Sequence, residues 1–323
     1  MDNSRRTRLF LAAKIGCSAL LLWLVLKRLN YHDITVRLRA ANPHWLILAI
    51  LLTPVVMALS ARRWQILSQG LLNFSRAFRY TWIGFFFGSI MPGMVSGDIA
   101  KGFSLAAKSA DARDDRLPIS IFFDKLLGLW VLLALFCVVA MILLATHSDS
   151  LHGMRHVVAL GILGTLLGLA FGITMMHPMG SRLAGRLIAA LPVPGLSLLG
   201  KRVLAAIGAY SSKPRQVAQA LLLSLAIHGL NCLGFWFVLH ALSIPAGLWF
   251  AAVLYPMLSL LLAVPVSMSG IGVRDVFVFT LFTTFGLNPA SGVAFSWMLV
   301  GLSLPVIAIG GLIQLWEMFR RKA

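Results

Sequence analysis

Long apolar runs follow one another along almost the whole chain, and the short stretches between them carry most of the polar residues. About 20 apolar residues in succession cross a bilayer as an α-helix. Six runs meet this requirement and predict six full spans, at residues 9–27, 44–61, 118–146, 153–176, 217–240 and 290–316. The pattern predicts an all-α, polytopic integral membrane protein whose 323 residues form a single transmembrane domain.

Two further apolar stretches are interrupted by proline and glycine and do not fit simple spans. Residues 77–108 are broken near 91–93, and residues 246–287 are broken within 265–272. Non-helical backbone at membrane depth occurs only where it is buried in protein or lines a water-filled cavity. We therefore expect both stretches to be re-entrant helical hairpins that return to the side from which they enter.

The two broken stretches share a motif. In both, the sequence P-x-x-x-S-G-x-x-x-[K/R] ends in a cation, which is Lys101 in the first stretch and Arg274 in the second. Three full spans lie between the stretches, and an odd number of crossings makes the two hairpins open to opposite faces of the membrane. We therefore predict two inverted halves, residues 44–177 and 217–316, joined by a cytoplasmic interfacial linker at 178–216.

Each break predicts a site for an anion, because the helix that follows it starts with free N–H groups and the positive end of its dipole. Lys101 and Arg274 add a full positive charge beside these donors. The two half-sites together predict a cradle for a phosphate near the middle of the membrane. The alternative is that the motif recurs by chance, since proline and glycine are also common in membrane helices for packing reasons.

Polar neighbours of the two cations complete the predicted substrate site. Asp98 and Asp275 either orient the cations by charge-assisted hydrogen bonds or cap the helices that follow the breaks. Serine hydroxyls of the breaks donate to a phosphate or satisfy broken backbone. The remaining members of the predicted site are Ser96, Gly97, Ser267, Ser269 and Gly270.

Asp124 and Lys125 lie about two turns inside a predicted span, where ionisable residues are rare and usually functional. One interpretation pairs Asp124 with Lys101 or Arg274 in a charged network around a lipid headgroup, to which Lys125 also belongs. The other is an ion pair that only holds helices together. His228, with Asn231 three residues later, raises the same choice between a proton path and a hydrogen bond between helices.

Composition supports the membrane assignment and limits the partners. Hydrophobic residues make up 59% and charged residues 12%, whereas about a quarter of the residues of a soluble protein are charged. A net charge of +18 suggests nucleic acid, but these cations lie between apolar spans and indicate loops that face anionic lipid. The 3 cysteines lie inside apolar runs and predict neither a disulfide framework nor a metal site.

The distribution of Lys and Arg predicts the orientation. With the N-terminus in the cytoplasm, far more of these residues fall on the cytoplasmic side than outside, which also places the C-terminus inside. Arg62 and Arg63 belong to this cytoplasmic set. The exception is the 28–43 loop, whose basic residues would face outward, and we expect an amphipathic segment at the membrane interface there.

Three blocks of sequence, at residues 91–101, 123–128 and 264–275, carry a resemblance to a known family. They are similar, in this order, to the P-x-x-x-G-G-D-x-x-R, D-R-x-x-G and P-x-S-x-x-G-x-G-x-R-E blocks of the lysylphosphatidylglycerol synthase transmembrane, or flippase-like, family. The resemblance covers nearly the whole chain. The departures are conservative, with Ser96 in place of glycine, Lys101 and Lys125 in place of arginine, and Asp275 in place of glutamate.

The resemblance implies movement of lipids between leaflets. We expect a flippase- or scramblase-like transporter of a phosphate-bearing phospholipid or polyprenyl-phosphate-linked lipid, located in the bacterial inner membrane. Bifunctional members of the family carry a cytoplasmic aminoacyl-transferase domain after the membrane domain, and the few residues after the last predicted span leave no place for one.

The alternatives are a membrane-embedded enzyme that modifies a lipid with Asp124 or Asp98 as base, and a non-transporting scaffold for such an enzyme. No motif of a soluble enzyme occurs in the sequence, so we expect no catalytic site, no cofactor and no metal. The expected partners are membrane lipids with anionic headgroups, together with a second copy of the chain or a lipid-modifying enzyme. Nucleic acid is not an expected partner.

Overall fold

The computed structural model describes residues 22–23, 27, 31–90, 97–98, 101–102, 116–146, 159, 162–164, 166, 208–210, 212–263 and 270–320. These residues form helices and turns and contain no strand, which confirms the all-α prediction. The main helices are α1 (Tyr31–Arg39), α2 (Pro43–Leu67), α3 (Phe74–Ile90), α4 (Arg116–Thr146), α5 (Pro214–Ala241), α6 (Leu248–Ala263), α7 (Val273–Thr284) and α8 (Pro289–Phe319).

Helices α2, α4, α5 and α8 are long and apolar enough to cross a membrane. They coincide with four of the predicted spans, those at 44–61, 118–146, 217–240 and 290–316. Large apolar side chains remain exposed on them, as expected of surfaces that face lipid. The predicted spans at 9–27 and 153–176 lie mostly outside the described residues, so the total of six stays a prediction.

Both predicted breaks fall at helix ends. Helix α3 ends at Ile90, immediately before the first break, and the second break lies between the end of α6 at Ala263 and the start of α7 at Val273. The turn at 270–272 agrees with the interruption predicted for the second stretch, and residues 91–96 of the first break lie outside the described residues. The re-entrant course of both stretches through the membrane stays a prediction.

The chain divides into two compact units. The first comprises Met1–Val55, Trp82–Lys101 and Leu230–Ala323, and the second comprises Val56–Thr81 and Gly102–Gly229. Helices α2, α3 and α5 each contribute residues to both units. The inverted relation of residues 44–177 and 217–316 stays a prediction, and most of the predicted linker at 178–216 lies outside the described residues.

The core of the first unit is built by α6, α7, α8 and the end of α5. Phe250, Phe282 and Phe295 are fully buried there and meet edge to face or tilted. Helix α1 packs on this core through Ile34, which is completely buried. The 28–43 loop therefore contains a short helix with one buried apolar side, which is the amphipathic pattern expected from its sequence.

The core of the second unit joins the end of α2 to α4 and to the start of α5. The ring of Tyr210 stacks on Phe123 with centroids 4.1 Å apart, and its hydroxyl donates a hydrogen bond to the carbonyl of Leu67. Burial raises the pKa of the Tyr210 phenol, so the hydroxyl keeps its proton and remains a donor. This contact fixes the segment that precedes α5 against the end of α2.

Candidate functional site

The described end of the second break, residues 270–272, is a turn with two glycines. Gly270 and Gly272 have φ angles of 79° and 81°, which glycine adopts without strain. A Cβ atom on Gly270 would also overlap the side chain of Leu262 at the end of α6. Glycine at these positions therefore lets the chain reverse locally and start α7.

Asp275 caps the start of α7. Its Oδ2 accepts a hydrogen bond from the backbone N–H of Gly272 at 3.0 Å, and its Oδ1 accepts one from the Ser296 hydroxyl at 2.5 Å. The backbone N–H of Arg274 donates to the carbonyl of Gly270 at 2.8 Å. The capping role of Asp275 is confirmed, and two amides that were expected to meet an anion are used within the chain.

The guanidinium of Arg274 is held by α8. Its Nε donates to the Ser296 hydroxyl at 2.7 Å, and only 8% of the residue is exposed. Nε is the only nitrogen of this guanidinium that hydrogen-bonds a described residue. The Nη1 and Nη2 groups thus keep their hydrogen-bonding capacity at the mouth of the break.

Close packing of α7 against α8 sets this arrangement. A Cβ atom on Gly292 would overlap the ring of Phe282 and approach the carbonyl of Val278, so the two helices meet almost backbone to backbone. The turn between them is fixed by Asn288, whose side chain accepts a hydrogen bond from the N–H of Ala290 at 2.8 Å. Ser296 is thereby placed one turn further along α8, opposite Arg274.

Ser296 is a site residue that the sequence does not reveal. It lies in an apolar span that also contains Ser291 and Ser303, and no charge or motif distinguishes it from them. Only the packing of α7 on α8 shows that this hydroxyl faces Arg274 and Asp275. A serine without a charged neighbour in sequence carries no pattern from which this contact follows.

The cation of the first break is held differently. The Nζ atom of Lys101 lies 3.3 Å from Oδ1 of Asp98, one helical turn earlier, and both side chains are largely buried. The contact agrees with the predicted role of Asp98 in orienting this cation. Asp98 and Asp275 therefore differ, since one contacts a cation directly and the other reaches it through Ser296.

Glycines bring Lys101 close to α3. The aliphatic chain of Lys101 lies where a side chain of Gly84 would be, and a Cβ atom on Gly97 would overlap the carbonyl of Gly84. Gly88 faces the same segment at ordinary contact distance, since its Cβ would lie 3.6 Å from the Cα of Gly97. Glycine at 84 and 97 thus gives Lys101 its path across the helix.

Helices α3 and α8 of the first unit meet near Gly84. The backbone of Trp82 and the side chain of Phe86, on either side of Gly84 along α3, contact Gly310 of α8. Gly310 is about 21 Å along α8 from Ser296, the residue that holds Arg274, at 1.5 Å per residue. Ser296 and the contact of α8 with α3 at Gly310 therefore lie about four turns apart on α8.

Asp124 binds Arg63 of α2 through both oxygens. Nε lies 2.7 Å from Oδ1 and Nη2 lies 3.1 Å from Oδ2. The structure corrects two predictions here. Asp124 does not pair with Lys101 or Arg274, because Arg63 occupies its carboxylate, and Arg63 is not a cytoplasmic surface charge, because α2 continues to Leu67 and turns this side chain inward.

A polar layer through three helices surrounds this ion pair. The Nη1 group of Arg63 donates to the Ser224 hydroxyl of α5 at 2.9 Å. One turn along α5, His228 Nε2 lies 3.0 Å from the carbonyl of Gly128. The hydrogen bond between helices that was the alternative for His228 is therefore present.

Gly128 also explains the spacing of the block at 123–128. Asp124 and Gly128 are four residues apart and lie on one face of α4. A Cβ atom on Gly128 would lie 3.1 Å from Nη1 of Arg63, so the glycine makes room for the guanidinium that Asp124 binds. Lys125 is half-buried on α4, and its part in a headgroup site stays a prediction.

The remaining predicted site residues fall into two groups. Gly97 and Gly270 have the packing and turn roles described above. Ser96, Ser267 and Ser269 lie outside the described residues, so their predicted hydrogen bonds to a phosphate stay predictions. The described residues contain no group of His, Cys, Asp and Glu that would hold a metal ion.

A protein-family model matches most of the chain. Residues 11–311 match the family model described as the lysylphosphatidylglycerol synthase TM region. The comparison with curated proteins gave no match. The matched range includes both breaks, the ion pair and every residue of the candidate site.

Proposed function

Because the chain belongs to the lysylphosphatidylglycerol synthase transmembrane family, we propose that it moves a phosphate-bearing lipid between the two leaflets of a membrane. The family and the apolar helices make it a multi-pass membrane protein. The substrate is a phospholipid or a polyprenyl-phosphate-linked lipid. The bacterial inner membrane is the location that the family suggests, and the distribution of basic residues favours both chain ends in the cytoplasm.

The observation that carries the proposal is the placement of Arg274. A buried arginine at a helix break of a membrane protein is costly unless it serves a site, and intramembrane charges usually line substrate paths. The guanidinium of Arg274 is oriented by Ser296 but is not neutralised by a two-point ion pair like that of Arg63. A phosphate oxygen pair is the ligand that best matches the free edge of a guanidinium.

The separate polar partners of the two cations, Ser296 for Arg274 and Asp98 for Lys101, support a stepwise path for the headgroup. Its phosphate binds one of Arg274 and Lys101, then passes to the other, while the acyl chains stay in lipid. Each cation keeps a nearby carboxylate, which lowers the cost of leaving it without a ligand between steps. The sequence contains no ATP-binding motif, which leaves an ion gradient, a lipid gradient or no energy input as alternatives.

A lipid-modifying enzyme is the weaker hypothesis. Asp124 is a poor general base in this conformation, because both of its oxygens accept hydrogen bonds from Arg63. Asp98 lies 3.3 Å from the Lys101 ammonium, so this carboxylate is likewise engaged by a cation. A scaffold for another enzyme, or a homodimer, stays a prediction without an observation that favours it.

The proposal is tested with purified protein in proteoliposomes. A fluorescent phosphatidylglycerol is placed in both leaflets, and an impermeant reductant bleaches the outer pool, so that movement appears as bleaching beyond one half. We expect the wild type to move the lipid and Arg274→Ala and Lys101→Ala each to slow it at least tenfold. Arg320→Ala, a change of an exposed arginine at the end of α8, is the matched control.

Two outcomes would overturn the proposal. One is a wild-type rate no higher than that of liposomes without protein. The other is an unchanged rate of lipid movement in both Arg274→Ala and Lys101→Ala, with size-exclusion chromatography showing that each variant is folded. Conversion of the lipid to a new product by the wild type would favour the enzyme hypothesis instead.

A further inference from the structure

Ser296 joins the cation of the second break to its counter-charge. Its hydroxyl is completely buried and lies between Arg274 Nε, at 2.7 Å, and Asp275 Oδ1, at 2.5 Å. The contact crosses from α7 to α8, and no block shared with the family includes this residue. It is therefore a part of the site that lies outside the motif.

Hydrogen-bond chemistry fixes the direction of both contacts. Guanidinium Nε–H only donates, and a carboxylate only accepts. The Ser296 hydroxyl must therefore accept from Arg274 and donate to Asp275. The other oxygen of Asp275 accepts from the N–H of Gly272, so an unbroken chain of hydrogen bonds runs from the backbone of the break to the guanidinium.

This chain settles which edge of the guanidinium is available. The planar guanidinium carries five N–H donors in fixed positions. One of its edges is formed by Nη1 and Nη2. Because Nε–H is committed to Ser296, the plane is fixed and the Nη1–Nη2 edge is the one left for a ligand. Two parallel donors match two oxygens on one phosphorus, whereas a single hydroxyl or carbonyl uses only one of them.

We infer that Ser296 is a positioning residue that makes the second break selective for a lipid phosphate with two free oxygens, as in a phosphodiester headgroup. The inference rests on the proposed function for the site, but it concerns recognition and not movement. Without the hydroxyl, Arg274 keeps its charge and loses its fixed plane. Attraction to anions then remains, while discrimination by geometry is lost.

Binding to the full chain in detergent tests this directly. A fluorescent lipid is displaced from wild type and variants by three probes: a short-chain phosphatidylglycerol, a diacylglycerol with the same acyl chains, and inorganic phosphate. We expect the wild type to prefer the phosphatidylglycerol over the diacylglycerol at least tenfold. Ser296→Ala should keep the part of this preference that charge alone provides and lose the rest, so the ratio should fall severalfold, and Ser296→Thr, which restores a hydroxyl, should regain it.

Folding is controlled separately, because Ser296→Ala leaves a buried carboxylate oxygen without its donor. The thermal unfolding midpoint is measured for every variant. If Ser296→Ala does not fold, Ser296→Cys keeps the size of the side chain with a much weaker donor and acceptor, and it is expected to lose the preference as well. A purely structural role would lower stability and leave the ratio of the two lipid affinities unchanged, which would overturn the inference.

The outcomes separate this inference from the proposed function. Selective binding that depends on Ser296, without movement in proteoliposomes, would sink the transporter and leave the inference standing. Lipid movement by the wild type, together with an unchanged lipid preference in a folded Ser296→Ala variant, would overturn the inference about Ser296 and leave the proposed transporter standing. Displacement by inorganic phosphate as strong as that by phosphatidylglycerol would show a site for free phosphate and overturn the lipid assignment.

Discussion

Arg63 of α2 and Asp124 of α4 form a two-point ion pair, with Nε–Oδ1 and Nη2–Oδ2 distances of 2.7 and 3.1 Å. The residues are 61 positions apart in sequence. The Ser224 hydroxyl of α5 accepts a hydrogen bond from Nη1 of Arg63. This guanidinium therefore links three helices, each of which contains a candidate span. In the apolar interior of a membrane protein, such a pair specifies which helices meet and at what depth.

Removal of either member of this pair is expected to be strongly destabilising. Arg63→Ala and Asp124→Ala each leave a buried charge without its partner and should lower the free energy of unfolding by about 3–5 kcal/mol. Denaturant titration in detergent measures it. Arg62→Ala is the control, because that side chain is exposed and bonds only Gln65 of its own helix, so a change within about 0.5 kcal/mol is expected.

The joint replacement Arg63→Met with Asp124→Leu should be less destabilising than either single alanine variant. It removes both charges and leaves no uncompensated one. Equal losses for Arg62→Ala and Arg63→Ala would contradict the role of the pair. So would a double variant that is as unstable as the sum of the two single variants.

Gly128→Ala should weaken the same polar layer by steric crowding, because it adds a methyl group without changing any charge. The new Cβ atom would lie 3.1 Å from Nη1 of Arg63, so the guanidinium must move from Asp124 and Ser224. We expect a loss of about 1–3 kcal/mol in the unfolding free energy. Gly229→Ala on α5, which meets no atom within 4 Å, is the matched control and should be neutral or slightly stabilising.

Gly310→Ala should loosen α8 from α3. Its Cβ atom would lie 2.6 Å from the carbonyl oxygen of Trp82, and backbone cannot yield as a flexible side chain does. The expected cost is about 1–3 kcal/mol, visible as a lower thermal midpoint in detergent. Gly301→Ala on the same helix meets nothing within 4 Å, and a comparable loss there would argue against a specific contact at Gly310.

Gly84→Ala is expected to affect lipid movement more than stability. The methyl group would occupy the path of the Lys101 chain, which is flexible and can shift, and the ammonium would leave its place beside Asp98. If Lys101 contacts the headgroup, the initial rate in proteoliposomes should fall severalfold. Gly88→Ala, whose Cβ makes only ordinary contact at 3.6 Å, should retain the wild-type rate. Similar rates for the two variants would contradict this role of Gly84.

Helices and their interruptions follow from local sequence. The apolar run at 217–240 predicts a span that the structure extends to Pro214–Ala241, and the run at 290–316 becomes Pro289–Phe319. The end of α6 at Ala263 likewise follows from the proline and glycines of 265–272. These features depend on hydropathy and backbone freedom, which each short stretch carries by itself.

Span ends were less predictable where charges adjoin an apolar run. The predicted span at 44–61 stops before Arg62 and Arg63, whereas α2 continues to Leu67. Neighbouring residues of a helix point about 100° apart, so Arg62 is exposed while Arg63 is buried. Counting basic residues treats the two alike and therefore cannot tell a surface charge from one that faces another helix.

The sequence by itself determined the membrane class, the described long helices, the turn before α7 and the family, because each depends on composition or on short motifs. Tertiary structure alone decided the partners of the buried charges: Asp124 with Arg63, and Arg274 with Ser296. A charged side chain pairs with whatever polar group the rotation and depth of neighbouring helices bring within about 3 Å. That choice depends on packing between segments far apart in the chain, and no local pattern records it.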